Sequence, residues 1–285
     1  MVRQVCTTNR MRASSIAGCC ALLVAALALV AFGQSASADE PKNDWALSFN
    51  IGATTDYVFR GVSQTAEKPS IQGGADFAYK MFYAGVWMAS VDFLGNVPGP
   101  GVGVVETDYY AGIKFPVTKS IEVDFGGIYY TYPGANDKFA VTNFKELDYF
   151  EFKAGAKYKP IDPMTIGAFV FYSPEGTNKT GEVWTFEGTA EYIFPKFHMI
   201  TPSVSALIGY QVGDDPRYKL VTANGRDDYT YWNVGVTLGV GDNLSFDVRY
   251  WDTNIPSNSA TATNFCTGAA RQCDERVVGT VKVTF

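Results

Sequence analysis

The chain of 285 residues has little with which to build a catalytic or metal centre, for it contains one histidine, His198. A serine nucleophile needs a base within hydrogen-bond reach. The only histidine falls in a predicted turn beginning Pro195-Lys196, and Gly61-Val62-Ser63-Gln64-Thr65 is not a G-x-S-x-G elbow. Glycine-rich phosphate loops and spaced Cys/His ligand sets are also missing, so neither an enzyme nor a cofactor or metal site is expected. Basic charge is scarce: 23 Lys and Arg face 29 Asp and Glu, which argues against nucleic acid as a partner. No proline- or serine-rich linker divides the chain, and a single domain is expected.

The N-terminus stands apart. Arg3, Arg10 and Arg12 precede an apolar run from about Ile16 to Phe32, and Ala36-Ser37-Ala38 forms a small-residue cleavage site before Asp39. A transmembrane anchor is the competing reading; the A-x-A ending and the polar Gly33-Gln34-Ser35 spacer favour a cleaved signal peptide over residues 1–38. Met1 and Met11 both leave a charged start. Residues 39–285 then carry 20 basic and 29 acidic side chains, a formal charge of −9. Of the five cysteines, Cys266 and Cys273 survive processing, and in an oxidising compartment a local loop disulfide between them is expected.

What is abundant is aromatic residues and glycine. There are 17 Tyr, 20 Phe, 5 Trp and 28 Gly, and mean hydropathy is −0.03. A membrane barrel can be polar on average because half of each strand faces water, whereas its lipid face is flanked by aromatic girdles. The aromatics Trp87, Trp184, Trp232, Tyr109 and Tyr192 are read as that girdle. Apolar and polar residues alternate with period two along the whole chain. In the fourth segment Thr107, Tyr109, Ala111, Ile113 and Phe115 oppose Glu106, Asp108, Tyr110, Gly112 and Lys114. Twelve such strands are counted, the first running Trp45–Arg60 and pairing with Arg276–Phe285. The connections after odd strands (63–69, 94–104, 133–147, 174–181, 213–227 and 254–275) are the longer ones, as expected where both termini lie in the periplasm. The expected fold is a closed antiparallel transmembrane β-barrel of the outer-membrane type, because in hydrocarbon every backbone group must be paired.

The stretch Asp56-Tyr57-Val58-Phe59-Arg60-Gly61-Val62-Ser63-Gln64, with Pro69-Ser70-Ile71-Gln72-Gly73-Gly74-Ala75-Asp76 after it, closely resembles the N-terminal signature of the TorF family, porin-like proteins of bacterial outer membranes of the Gcw_chp type. The resemblance implies an outer-membrane barrel and gives no particular substrate. On the alternating register this stretch is the first extracellular hairpin. Gln72 and Asp76 point inward, Gly74 leaves space beside them, and Arg60 lies near the outer rim, placed to meet such carboxylates or lipopolysaccharide phosphates. The terminal Phe285, closing an alternating strand, resembles the signal recognised by the outer-membrane barrel assembly machinery.

The expected lumen holds Asp76, Asp92, Glu106, Asp108, Glu122, Asp124, Glu151, Glu187, Glu191 and Asp247 together with Lys80, Lys114, Lys153, Lys157, Arg249 and Lys282. Pairs such as Glu106/Asp108 and Glu187/Glu191 share a face and read as solvated wall rather than as acid/base machinery. Asp214-Asp215 and Asp227-Asp228 read as solvated loop acids rather than as a Ca²⁺ site. The excess of acids predicts a mild cation preference if water fills the interior; the same groups could instead form a salt-bridged plug. The expected function is passive diffusion of small hydrophilic solutes or ions across the outer membrane. The alternative is a non-conducting structural or loop-mediated binding protein, and a third reading is a hydrolase dependent on His198. Expected partners are lipid, lipopolysaccharide, the assembly machinery and the solutes themselves.

Overall fold

The structure is a computed structural model that describes residues 44–93, 105–134, 146–222, 226–256 and 272–285. Twelve strands close into one antiparallel barrel: β1 (Trp45–Thr54), β4 (Ser70–Tyr79), β5 (Phe82–Ser90), β6 (Val105–Pro116), β7 (Ile121–Thr131), β8 (Tyr149–Ile161), β9 (Met164–Ser173), β10 (Val183–Ile193), β11 (Ile200–Gly213), β12 (Asp228–Val240), β13 (Leu244–Thr253) and β14 (Arg276–Thr284). A separate two-stranded ribbon, β2 (Val58–Phe59) and β3 (Val62–Ser63), lies off the barrel ladder, and a short helix, α1, covers Pro216–Thr222. Each barrel strand pairs with its chain neighbour, and β1 pairs with both β4 and β14, so no edge is left open. Phe285 seals that seam. Its N–H donates to the Phe49 carbonyl at 2.8 Å, and the Phe49 N–H donates back at 3.1 Å.

The connections divide cleanly. At one end, here the turn end, residues 80–81, 117–120, 162–163, 194–199 and 241–243 join strands tightly. At the other, the loop end, the joints are the longer segments beginning after Thr54, Ser90, Thr131, Ser173, Gly213 and Thr253. The expected signal peptide, Cys266 and much of the expected 94–104, 133–147 and 254–275 connections lie outside the described residues.

The alternation puts apolar side chains outward. Leu47, Phe49, Ile51, Phe152, Ile208, Val234, Val236 and Val248 are all at least 48% exposed, whereas Glu106, Asp124, Glu151 and Thr185 are 6% exposed or less. A charged interior under an apolar exterior inverts the soluble arrangement and suits hydrocarbon outside. In β9 Ile166 and Ala168 are exposed and Val170 is half-buried.

Two expectations are corrected. The first strand does not run to Arg60; it leaves the ladder after Thr54, and the Thr55 N–H makes a last bond to the Gly279 carbonyl at 2.9 Å. In β5 the facing is reversed. Tyr83 hydrogen-bonds Asp124 inside the barrel, Trp87 packs edge-on against Tyr57 at 5.3 Å, and Val91 is buried, so Trp87 is not part of a lipid girdle. Asp92 accordingly lies beyond the strand, in the connection, paired with Lys68 at 2.8 Å. The reason is the same in both cases. This barrel fills part of its interior with aromatic rings, so ring-bearing positions do not mark the lipid side.

Candidate functional site

The interior is built around the segment that the first strand was expected to contain. After Thr54 the chain turns inward, and Phe59↔Val62 and Val58↔Ser63 pair across a two-residue loop, Arg60-Gly61. Both loop residues have positive φ, 49° and 82°, as a type I′ hairpin turn demands, and glycine meets that demand at the second position without a steric penalty. A side chain at Gly61 would strike the Thr253 methyl and lie 2.8 Å from Tyr231 Cβ. The tip therefore presses on β12 and β13.

Arg60 shows how far the hairpin reaches. Its Nη1 and Nη2 donate to the two carboxylate oxygens of Glu151 at 2.8 and 2.9 Å, and its guanidinium lies 5.0 Å from the Phe171 ring centroid. Glu151 is on β8 and Phe171 on β9, the fifth and sixth strands from β1 in a ring of twelve. The hairpin thus starts at β1 and ends opposite it, crossing the lumen at the loop end. Arg60 and Glu151 are 6% and 1% exposed. Burial works against the Arg60 charge, but Glu151 more than offsets this and holds the guanidinium above its ordinary range. Tyr130 donates a further bond to Glu151 at 3.1 Å.

The neck is tied as firmly as the tip. Asp56 accepts from Ser63 Oγ at 2.6 Å, Thr65 Oγ1 at 2.7 Å and Arg276 Nη1 at 2.8 Å, which joins the hairpin to the first residue of β14. The Gln64 N–H donates to the Tyr57 carbonyl at 2.7 Å. The Tyr57 hydroxyl donates to Glu106, and burial together with that carboxylate keeps its proton well above the usual phenol range. Around this polar spine lie two apolar clusters. Tyr57 and Phe59 pack with Trp87, Val91, Phe93, Tyr130, Tyr132, Leu147 and Tyr149; Val62 packs with Tyr229, Tyr231, Ile255 and Cys273.

Below the hairpin, toward the turn end, the lumen opens into a cavity of about 400 Å³ lined by Asp76, Tyr83, Tyr110, Lys114, Lys153 and Ser48, among others. Asp124 meets Lys153 at 2.7 Å, Lys114 at 3.9 Å and the Tyr83 hydroxyl at 2.8 Å. Tyr110 donates to Asp76. On the opposite wall Tyr231 donates to Glu187, while Arg249 bonds Asn233, Ser205 and Asp247, the last at 3.0 Å.

The expected site residues therefore fall into three groups. Arg60, Glu106, Asp108 and Glu151 are buried at the hairpin level. Asp76, Lys114, Asp124, Lys153, Glu187, Asp247 and Arg249 form paired wall networks, with Gln72 half-buried on β4. Glu122 and Glu191 stay exposed near the turn end. The outer-rim position expected for Arg60 is corrected, because the hairpin carries it to a buried carboxylate. Gly74 does not leave space either: a side chain there would lie 2.7 Å from the Val86 carbonyl. Asp56, Tyr57, Tyr130, Phe171, Tyr231 and Arg276 were not singled out by the sequence. His198 is exposed in a tight turn at the end opposite Ser63, whose hydroxyl is engaged by Asp56.

Comparison with known proteins gives a family and a fold. Residues 38–285 match the family Gcw_chp, described as a bacterial protein of unknown function. No curated protein matches the sequence. Among solved structures, the KdgM porin aligns with a TM-score of 0.52 at 9% identity, covering 84% of this chain and 98% of that one. A structure titled KdgM porin in complex with disordered oligogalacturonate aligns at 0.50 and 9% over 84% and 98%. The NanC porin aligns at 0.50 and 9% over 84% and 99%. At these identities the likeness is one of fold.

Proposed function

The chain belongs to the Gcw_chp family, and we propose that it is an outer-membrane, porin-like channel for passive diffusion of small hydrophilic solutes, with the Arg60 hairpin as its constriction. The observation that carries this reading is the lumen itself. A cavity lined by Asp76, Lys114 and Lys153 lies on the turn-end side of one hairpin that reaches across the barrel to Glu151. A twelve-stranded ring is wider than the eight-stranded barrels whose interior side chains alone fill. A segment folded across it is then what sets the bore. The fold likeness to porins supports the same reading.

Mild cation preference is part of the proposal. Glu151 is matched by Arg60, and over the expected lumen as a whole ten acids stand against six bases. The remaining elements are proposed with it: a TorF-type member of the family, exported by a signal peptide over residues 1–38, seated in lipid and lipopolysaccharide. Phe285 serves as the assembly signal, and Cys266 pairs with Cys273, which is buried in the cluster that packs against Val62 of the hairpin.

Single-channel recording of the purified full chain in planar bilayers tests this. Discrete steps with a reversal potential on the cation side in a salt gradient are expected. A second reading, a closed structural or binding barrel, is favoured by the packing of the hairpin into two aromatic clusters; bilayers that stay silent with verified folded protein would establish it and sink the channel.

A further inference from the structure

We propose that a second cavity, above the Arg60–Glu151 pair, binds a small neutral single-ring aromatic molecule bearing one acceptor oxygen. The cavity is about 130 Å³ and lies between the hairpin and the external connections that follow Ser173 and Gly213. That size is close to the roughly 150 Å³ apolar cavity that admits benzene. Its walls are rings, Phe59, Phe93, Tyr132, Tyr149, Tyr218 and Tyr229. Phe93 and Tyr132 already meet edge to face at 5.4 Å, a geometry that a further ring can extend.

Polarity at the base defines the rest of the ligand. Arg60 spends both terminal nitrogens on Glu151, and its Nε has no acceptor among the described residues although the side chain is 6% exposed. A buried donor left unpaired is unfavourable, and an acceptor oxygen on the ligand would satisfy it. The pair is self-neutralising, so an anion would meet the Glu151 carboxylate and a cation the guanidinium. A neutral ring meets neither penalty. Sugars and other fully hydroxylated solutes would lose their hydration against walls made mostly of carbon. The site does not require that the barrel conduct.

The test uses the full chain in lipid nanodiscs with 4-fluorophenol as probe and fluorine NMR as readout. A saturable bound signal is expected, displaced by phenol and not by glucose. Val183→Trp, which places an indole at the buried cavity wall, should weaken binding at least about tenfold, and Leu147→Trp serves the same purpose should the first variant fail to fold. Fluorobenzene, which lacks the oxygen, should bind about tenfold less tightly, the equivalent of one hydrogen bond. Linear, unsaturable partitioning into lipid, equal binding by the filled variants, or equal affinity for fluorobenzene would each overturn the proposal.

Discussion

Removing the Arg60 side chain should undock the hairpin and leave the barrel standing. The ion pair is bidentate and almost fully buried, and among the described residues its carboxylate has only one other donor, Tyr130 at 3.1 Å. Breaking such a pair by deleting one partner typically costs about 3–5 kcal/mol, since the surviving charge remains buried without compensation. The barrel ladder does not pass through Arg60, because β1 leaves off at Thr54 and β4 resumes at Ser70. The cost therefore falls on local opening of the hairpin. At about 1.4 kcal/mol per decade, 3 kcal/mol corresponds to roughly a hundredfold in that equilibrium. Hydrogen exchange read by mass spectrometry should show it at the Gln64 amide, which bonds Tyr57 across the hairpin neck. In Arg60→Ala that amide should lose about two decades of protection while amides of β10 to β12 keep theirs, and unit conductance should rise. Glu151→Met combined with Arg60→Met should recover most of the protection, because two apolar side chains leave no charge stranded. Unchanged protection and conductance in Arg60→Ala would refute the view that this pair holds the hairpin across the lumen.

Three further outcomes follow from the same geometry. Gly61→Val combines a positive-φ position with a collision against Thr253 and Tyr231, and strain of about 1–3 kcal/mol should shift the tip and lower the thermal stability of the loop end, read by exchange at Ser63 and Gln64. Asp124→Asn removes the carboxylate that neutralises Lys153 and Lys114, so the reversal potential in a salt gradient should move toward the anion side; Lys153→Met should move it the opposite way. Deleting Phe285 removes both backbone bonds to Phe49 at the closing seam, and the yield of folded barrel on heat-modifiability gels should fall severalfold while the amount exported stays constant.

The barrel was legible because its cause is local and repeated. Side chains in a strand alternate at period two, so each segment announces its lipid face independently, and β5 is the exception. The site was not legible in the same way, because its cause is a contact 91 positions apart in sequence, Arg60 with Glu151. Tyr57-Val58-Phe59 reads as more strand, since aromatic and β-branched residues favour extended backbone wherever it lies, inside or outside the ladder. A local signal did exist. Arg60-Gly61 sits between two short runs of strand-forming residues, and a two-residue loop ending in glycine is what a tight hairpin needs. Taken with Asp56, which would be costly on a lipid-facing strand and gathers Ser63, Thr65 and Arg276, that loop argues for a chain reversal before the rim. The reversed facing of β5 has the same origin. Once an aromatic hairpin occupies the lumen, Trp87 gains more from packing on Tyr57 than a polar residue would gain from facing water there, and the usual equation of rings with lipid fails on the strand the hairpin covers. In this barrel the polar half of the alternation is split by depth. It is charged beneath the hairpin and largely aromatic around it, and in the proposed channel it is the aromatic depth that should discriminate among solutes by shape.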